Sequence, residues 1–352
     1  TIKNINLLNV NSTTRMDFMF DKTGYKAMTS LDLGSNFDTS KAINMKAMFQ
    51  QTGNDAMTDF NLGTNFDTSN VTDMDYMFAS TGFTAMTKLD LGSKFNTSKV
   101  TDMSGMFNGA GYTVMETLNL GDKFDTSNVT DMNGMFGETG HGAMKTLNLG
   151  SKFNTSKVTN MSMMFMGTGY SVMETLNLGN NFNTSNVTDM QLMFARAGSL
   201  KMTSLDLGDL FYTTSVTNME LMFRNTGSTA MTSLDLGPAF TNIASTNTDM
   251  FTNTGKSGEI TIYAPESIFY SKNDFKLSSS TNASAINYTR GTIDAKYRTE
   301  WKKESVTVDT TTASNPKINI QLRGTTNTSL AKEEYTSDVT SSLAVANIKI
   351  LV

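Results

Sequence analysis

The feature that most constrains this chain is a spacing. Leu-x-Leu-Gly, or Phe-x-Leu-Gly in one copy, begins at Leu31, Phe60, Leu89, Leu118, Leu147, Leu176, Leu205 and Leu234, and every step is 29 residues. So strict a period marks a solenoid, in which each unit buries its apolar face only against its neighbours. The first copy is shortened, with Ile5-Asn6-Leu7 standing 26 residues before Leu31. An atypical unit is expected where a stack is capped. The last full copy decays through Phe240 and Met250-Phe251 to Ile260-Thr261-Ile262, making ten rungs in all.

Within a copy, let the first Leu be position 1. Positions 1 and 3 are apolar and position 2 is Asp or Asn, the alternation of a short strand with one buried face. Gly at position 4 releases the strand into a turn. Phe at position 7 points back inside, and Asp/Asn-Thr-Ser-Asn/Lys makes a polar corner whose short side chains bond nearby backbone. Met at positions 15 and 18 with Phe at 19 has the i, i+3, i+4 spacing of a helix face. Thr72 with Asp75, Thr188 with Gln191 and Thr217 with Glu220 resemble capping boxes at the start of that helix. Gly at position 23 would end it after about two turns. The expected fold is therefore an α/β solenoid of parallel strands and short helices with right-handed connections. The Phe and Met columns read as its core, with Met (27 in the chain) tolerating imperfect register between copies and open to oxidation.

Beyond residue 262 the pattern changes. Ser305–Asp309, Lys317–Leu322 and Leu343–Leu351 alternate as antiparallel strands of a small all-β region do. The division expected is a capping repeat over 1–30, the solenoid over 31–262, a C-terminal cap over 263–295 and a small β domain over 296–352. Trp301 before Val306-Thr307-Val308 faintly resembles the start of a bacterial immunoglobulin-like module. Only about fifty residues follow, short of the ~100 of a full sandwich.

The extended unit Leu118-Asn119-Leu120-Gly121, Phe124-Asp125-Thr126-Ser127-Asn128-Val129-Thr130-Asp131-Met132, Met135-Phe136 resembles the BspA-like surface-protein repeat of Gram-positive bacteria and mollicutes. Its Met-x-x-Leu-x-Leu-Gly resembles the strand of leucine-rich repeats. The likeness covers residues 5 to 262. This unit is longer than the usual one, because Thr-Gly-x-x-Ala/Val-Met extends the return to the next strand. The resemblance implies a leucine-rich-repeat-like stack in a secreted or wall-linked adhesin, with no catalytic residues to carry over and no particular ligand.

Enzyme chemistry is poorly served: with one His and no Cys, most nucleophile–base pairs are unavailable, and a uniform repeat offers no singular cleft for two carboxylates. The net charge of -5, with Lys and Arg scattered, provides no basic stripe for nucleic acid. No apolar run is long enough to span a membrane. Opening at Thr1 and ending in a strand-like run, the chain reads as a monomeric piece of a longer protein, anchored at a bacterial surface through another part.

Two columns are candidates for ligand binding. Position 2 (Asn6, Asp32, Asn61, Asp90, Asn119, Asn148, Asn177, Asp206, Asp235) lies on the exposed strand face. It is either a hydrogen-bonded ladder or a polar ligand surface. Asp206 beside Asp235 is its one adjacent acidic pair, the place to look for Ca²⁺, although the Gly and closing Glu of a calcium loop are missing. No other cofactor is expected. Position 24, on the longer return, holds Tyr25, Asn54, Phe83, Tyr112, His141, Tyr170, Ser199 and Ser228. Its rings either pack on one another or serve as hot spots for a protein or glycan partner from a host or neighbouring cell. The alternative to such an adhesin is a structural spacer that projects another domain.

Overall fold

A computed structural model of the chain describes residues 10, 12–255, 260–264, 301–309, 317–324 and 334–338. The chain divides into two compact units, residues 1–288 and 289–352. Ile5-Asn6-Leu7 and Leu343–Leu351 lie outside the described residues.

The first unit is a β-solenoid. Three-residue strands recur every 29 residues as β1 Ser30–Asp32, β2 Asp59–Asn61, β3 Lys88–Asp90, β4 Thr117–Asn119, β5 Thr146–Asn148, β6 Thr175–Asn177, β7 Ser204–Asp206 and β8 Ser233–Asp235, with β9 Thr261–Tyr263 following at 28. Pairing is parallel and in register, with Leu31 opposite Phe60 and Leu147 opposite Leu176. The strands group as β1-β2, β3-β4, β5-β6 and β7-β8-β9. A second parallel ladder runs unbroken through position 14, by single bridges from Arg15 and Asn44 through Asp73, Asp102, Asp131, Asn160, Asp189 and Asn218 to Thr246.

The expected helices do not form; among the described residues there is no helix, and the solenoid is all-β and turn. The copy at Leu89 shows why. Its amides alternate between two kinds of partner. Met103, Gly105, Phe107 and Gly109 donate to Asp131, Asn133, Met135 and Gly137 of the next rung at 2.7–3.1 Å. Met106, Asn108 and Ala110 donate three residues back, to Met103, Gly105 and Phe107, at 2.9–3.2 Å. This is a train of tight turns stitched to its neighbour. It leaves no i→i−4 ladder, and it needs φ near +60° at positions 17 and 21 (Gly105 +59°, Gly109 +66°), which a helix forbids. The capping boxes dissolve with the helix. Thr72, Thr188 and Thr217 donate their hydroxyls to the carbonyls of Ile43, Thr159 and Thr188 in the preceding rung, and the Asp75 carboxylate pairs with Lys46.

The core follows from stacking like on like. The position 19 rings, Phe20 to Phe251, stack at 5.3–5.7 Å between centroids. The position 7 rings, Phe37 to Phe240, stack at 6.2–6.5 Å. The Met of positions 15, 18 and 27 is buried beside them throughout. Two columns of buried threonine satisfy backbone carbonyls that the turns leave inside. Thr39, Thr68, Thr97, Thr126, Thr155 and Thr184 donate to the next rung's position 8. Thr52, Thr81, Thr139, Thr168, Thr226 and Thr254 donate to the previous rung's Phe carbonyl.

The second unit shows β10 Trp301–Asp309, β11 Lys317–Gly324 and β12 Glu334–Asp338 as an antiparallel meander. An irregularity in register falls between Lys303 and Ser305.

At position 22, Ala110 and Ala197 replace the usual threonine. Ala110→Thr should restore a bond to the Phe78 carbonyl and raise stability by about 1 kcal/mol. Thr168→Ala should lose about as much. Denaturant midpoints at unchanged slope would measure both.

Candidate functional site

The strand face is built from residues flanking each buried leucine. In β4, β5 and β6 these are exposed Thr and Asn: Thr117 and Asn119, Thr146 and Asn148, Thr175 and Asn177. Every position 2 residue from Asp32 to Asp235 accepts a hydrogen bond from the amide of the glycine two residues on, at 2.8–3.1 Å. That Asx turn holds the positive-φ glycine that ends each strand. One carboxylate or amide oxygen per rung is therefore committed to the backbone. Asp32, Asp90, Asp206 and Asp235 stand in one column. The second carboxylate oxygen of Asp90 pairs with Lys88 at 2.9 Å, and the Lys88 ammonium holds the Asp90 carboxyl below its ordinary value. Asp206 and Asp235 are directly paired in β7 and β8. Among the described residues, no group of three or more His, Cys, Asp or Glu side chains could hold a metal ion. An open hollow of about 320 Å³ lies on this face between β6 and β7, where strand pairing pauses; Glu174, Asn177, Asn180, Ser204 and Asp206 line it.

The loop column forms a different structure. Phe83, Tyr112, His141 and Tyr170 stack face to face, with centroids 4.6, 4.4 and 4.7 Å apart and planes within 12°. Arg196 lies over Tyr170 at 5.0 Å and closes the ladder at that end. At the other end Asn54 is buried and directs its amide to the Ser80 carbonyl. Ser199 and Ser228 bond each other at 2.7 Å. Tyr25 stands two rungs below Phe83 and is 38% exposed. Both faces of Tyr112, His141 and Tyr170 are thus covered.

Two residues that the sequence reading passed over complete this edge. Arg196 and Glu138 both occupy position 21, three residues before the ring column, where neighbouring rungs carry Gly109 and Gly167. Glu138 lies across Gly167, whose missing side chain makes the room: a Cβ there would stand 2.4 Å from the carboxyl carbon. Its Oε2 faces His141 Nε2 at 3.6 Å. Burial pushes the Glu138 carboxyl up from its ordinary value, with Arg196 opposing. Burial and then Arg196 push the His141 imidazole down. The signal was available: reading position 21 as a column would have set one acid between two glycines.

Five overlapping matches to one family model, described as Mycoplasma protein of unknown function, DUF285, cover residues 1–82, 53–145, 80–170, 113–235 and 142–259. No curated protein and no solved structure matches the chain.

Tyr112→Leu removes two stacked contacts and should destabilise the solenoid by about 1–3 kcal/mol. Tyr25→Leu, outside the ladder, should cost well under 1 kcal/mol. Thermal melts of the two variants side by side would measure the difference.

Proposed function

Because the chain belongs to the family described as Mycoplasma protein of unknown function, DUF285, whose description assigns no activity, we propose its role from the surface it presents. It is a non-enzymatic binding scaffold of the adhesin type, carried at a bacterial surface through a part of the protein beyond this stretch. It docks a host or neighbouring-cell glycoprotein, matrix protein or glycan. The BspA-like resemblance of the repeat supports that reading, and the solenoid is the leucine-rich-repeat-like arm that would do the docking.

The observation that carries the proposal is where the repeat varies. Core columns and Asx columns hardly change from rung to rung. Variation gathers at positions 16, 17, 20, 21, 24 and 25, and within that set positions 21 and 24 bring together Phe83, Glu138, His141, Tyr170 and Arg196. These fall on one edge, as stacked rings with Arg196 over the last of them and Glu138 facing His141. A spacer gains nothing from concentrating aromatic and charged groups on a single edge, whereas aromatic residues and Arg are the usual anchors of an interface. Contacts along the strand face, including the hollow between β6 and β7, would add many weak polar interactions in series.

The test is binding of the purified chain to mucins, matrix proteins and a glycan array. Tyr112→Ala with Tyr170→Ala should weaken capture at least about tenfold, the equivalent of ~1.4 kcal/mol, with the solenoid still folded by circular dichroism. Unchanged capture would remove the ring ladder as the site. No capture of any class by the native chain would favour the spacer.

A further inference from the structure

Glu138 and His141 break the repeat in a way that the fold does not need. Glu138 Oε2 and His141 Nε2 are both sealed from solvent, and neither has a hydrogen-bond partner among the described residues. They face each other at 3.6 Å. A buried polar atom without a partner costs stability, and here two are set together in one rung. The corresponding pairs in the adjacent rungs, Gly109 with Tyr112 and Gly167 with Tyr170, carry no such cost. The imidazole is stacked between Tyr112 and Tyr170.

We propose that Glu138 Oε2 and His141 Nε2 form a single proton-binding site that ties the ring ladder to the turn beneath it. With no proton between them, two lone pairs oppose each other. With one proton, whichever atom formally carries it, one group donates and the other accepts, and both are satisfied. The gap then closes from 3.6 Å towards the 2.7–2.9 Å of a charge-assisted bond, about 0.8 Å of movement in the ladder. The proton belongs to the pair rather than to either residue.

The titratable and charged groups around the imidazole are Glu138 in its own turn, Tyr112 and Tyr170 from the rungs on either side, and Arg196 over Tyr170. Burial and Arg196 oppose a protonated imidazole, and an ionised Glu138 at 3.6 Å is the one group here whose charge favours it. Taken singly, the raised carboxyl contributes stability that is lost as pH rises through its folded value. The lowered imidazole contributes stability that is lost as pH falls towards its own. The shared proton is therefore taken up as pH falls. The site stands whether or not the ladder meets a partner.

His141 is the chain's only histidine, so its ring resonances titrate without overlap. NMR titration of the whole chain, with chelator present, should show one midpoint for the wild type. In Glu138→Gln it should be lower by about one pH unit or more. Glu138→Gly, which copies the adjacent rungs and suits the +56° φ at this position, should lower it in the same direction and guards against a misfolded Gln variant. Below the midpoint, the wild type alone should show a slowly exchanging ring N–H or carboxyl proton. Coincident midpoints in wild type and both variants, or a ring proton that exchanges at the solvent rate in all three, would overturn the shared site.

Discussion

Every rung of this solenoid is held by amides that reach into the next one. Met103, Gly105, Phe107 and Gly109 all donate to the following rung, and the 29-residue step repeats that alignment from copy to copy. The last rung, one residue shorter, keeps it through Met219 to Thr246 and Phe223 to Met250. Side chains then stack in columns, and each column must tolerate its own kind at strand spacing. Phenylalanine does so by parallel stacking, and threonine by donating to a neighbouring carbonyl. Charged columns are broken by neutral residues, although Asp73, Asp102 and Asp131 follow one another in position 14. Position 11 alternates, with Lys99 bonded to Asn70 at 2.7 Å and Lys157 to Asn128 at 2.6 Å. Position 14 mixes acid with amide, with Asn44 bonded to Asp73 at 2.9 Å and Asn160 to Asp131 at 3.3 Å.

The repeat, the parallel strands and most of the core were legible because a column of identical residues at fixed spacing admits few packings. The helix was misread because a train of tight turns also turns every third residue inward. Met103, Met106 and Phe107 therefore reach the core by either route, and period alone cannot separate them. The separating signal was glycine. Gly105, Gly109, Gly134, Gly137 and Gly167 fall inside the segments assigned to helix, and each would cost a helix interior about 1 kcal/mol. The recurrence of four of them, Gly105, Gly109, Gly134 and Gly167, at positions 17 and 21 marked left-handed backbone. It was visible, and it was outweighed by the more familiar apolar spacing.

The exposed acidic and amide residues were harder to read. Positions 2, 8 and 14 form three columns in which Asp or Asn accepts the amide two residues on, as in Asp90 to Gly92, Asp125 to Ser127 and Asp131 to Asn133. An Asp that holds a turn and an Asp that awaits a ligand look the same in sequence. The difference lies in the backbone that follows, and only the glycine after position 2 hints at it. The ring column was equally ambiguous from sequence. Stacking of Tyr112 on His141 depends on the long return bringing position 24 of each rung into line, and no residue type declares that.

A uniform repeat supplies its own control for separating scaffold from function. Position 21 takes positive φ in rung after rung, +66° at Gly109, +56° at Glu138, +68° at Gly167 and +63° at Arg196. Glycine adopts that conformation freely, whereas an L side chain costs roughly 1–2 kcal/mol. The two adjacent glycines demonstrate that the fold accepts the cheaper residue there. Glu138 therefore carries backbone strain and desolvation, and shares with His141 a pair of unsatisfied polar atoms, at a position where the solenoid requires none of them. Arg196 carries the same strain two rungs on and spends its charge on the last ring of the ladder. Backbone strain by itself does not single them out, since Gln51, Ser80 and Asn225 carry it at the same position; the unsatisfied atoms of Glu138 and His141, set facing each other in one rung, do.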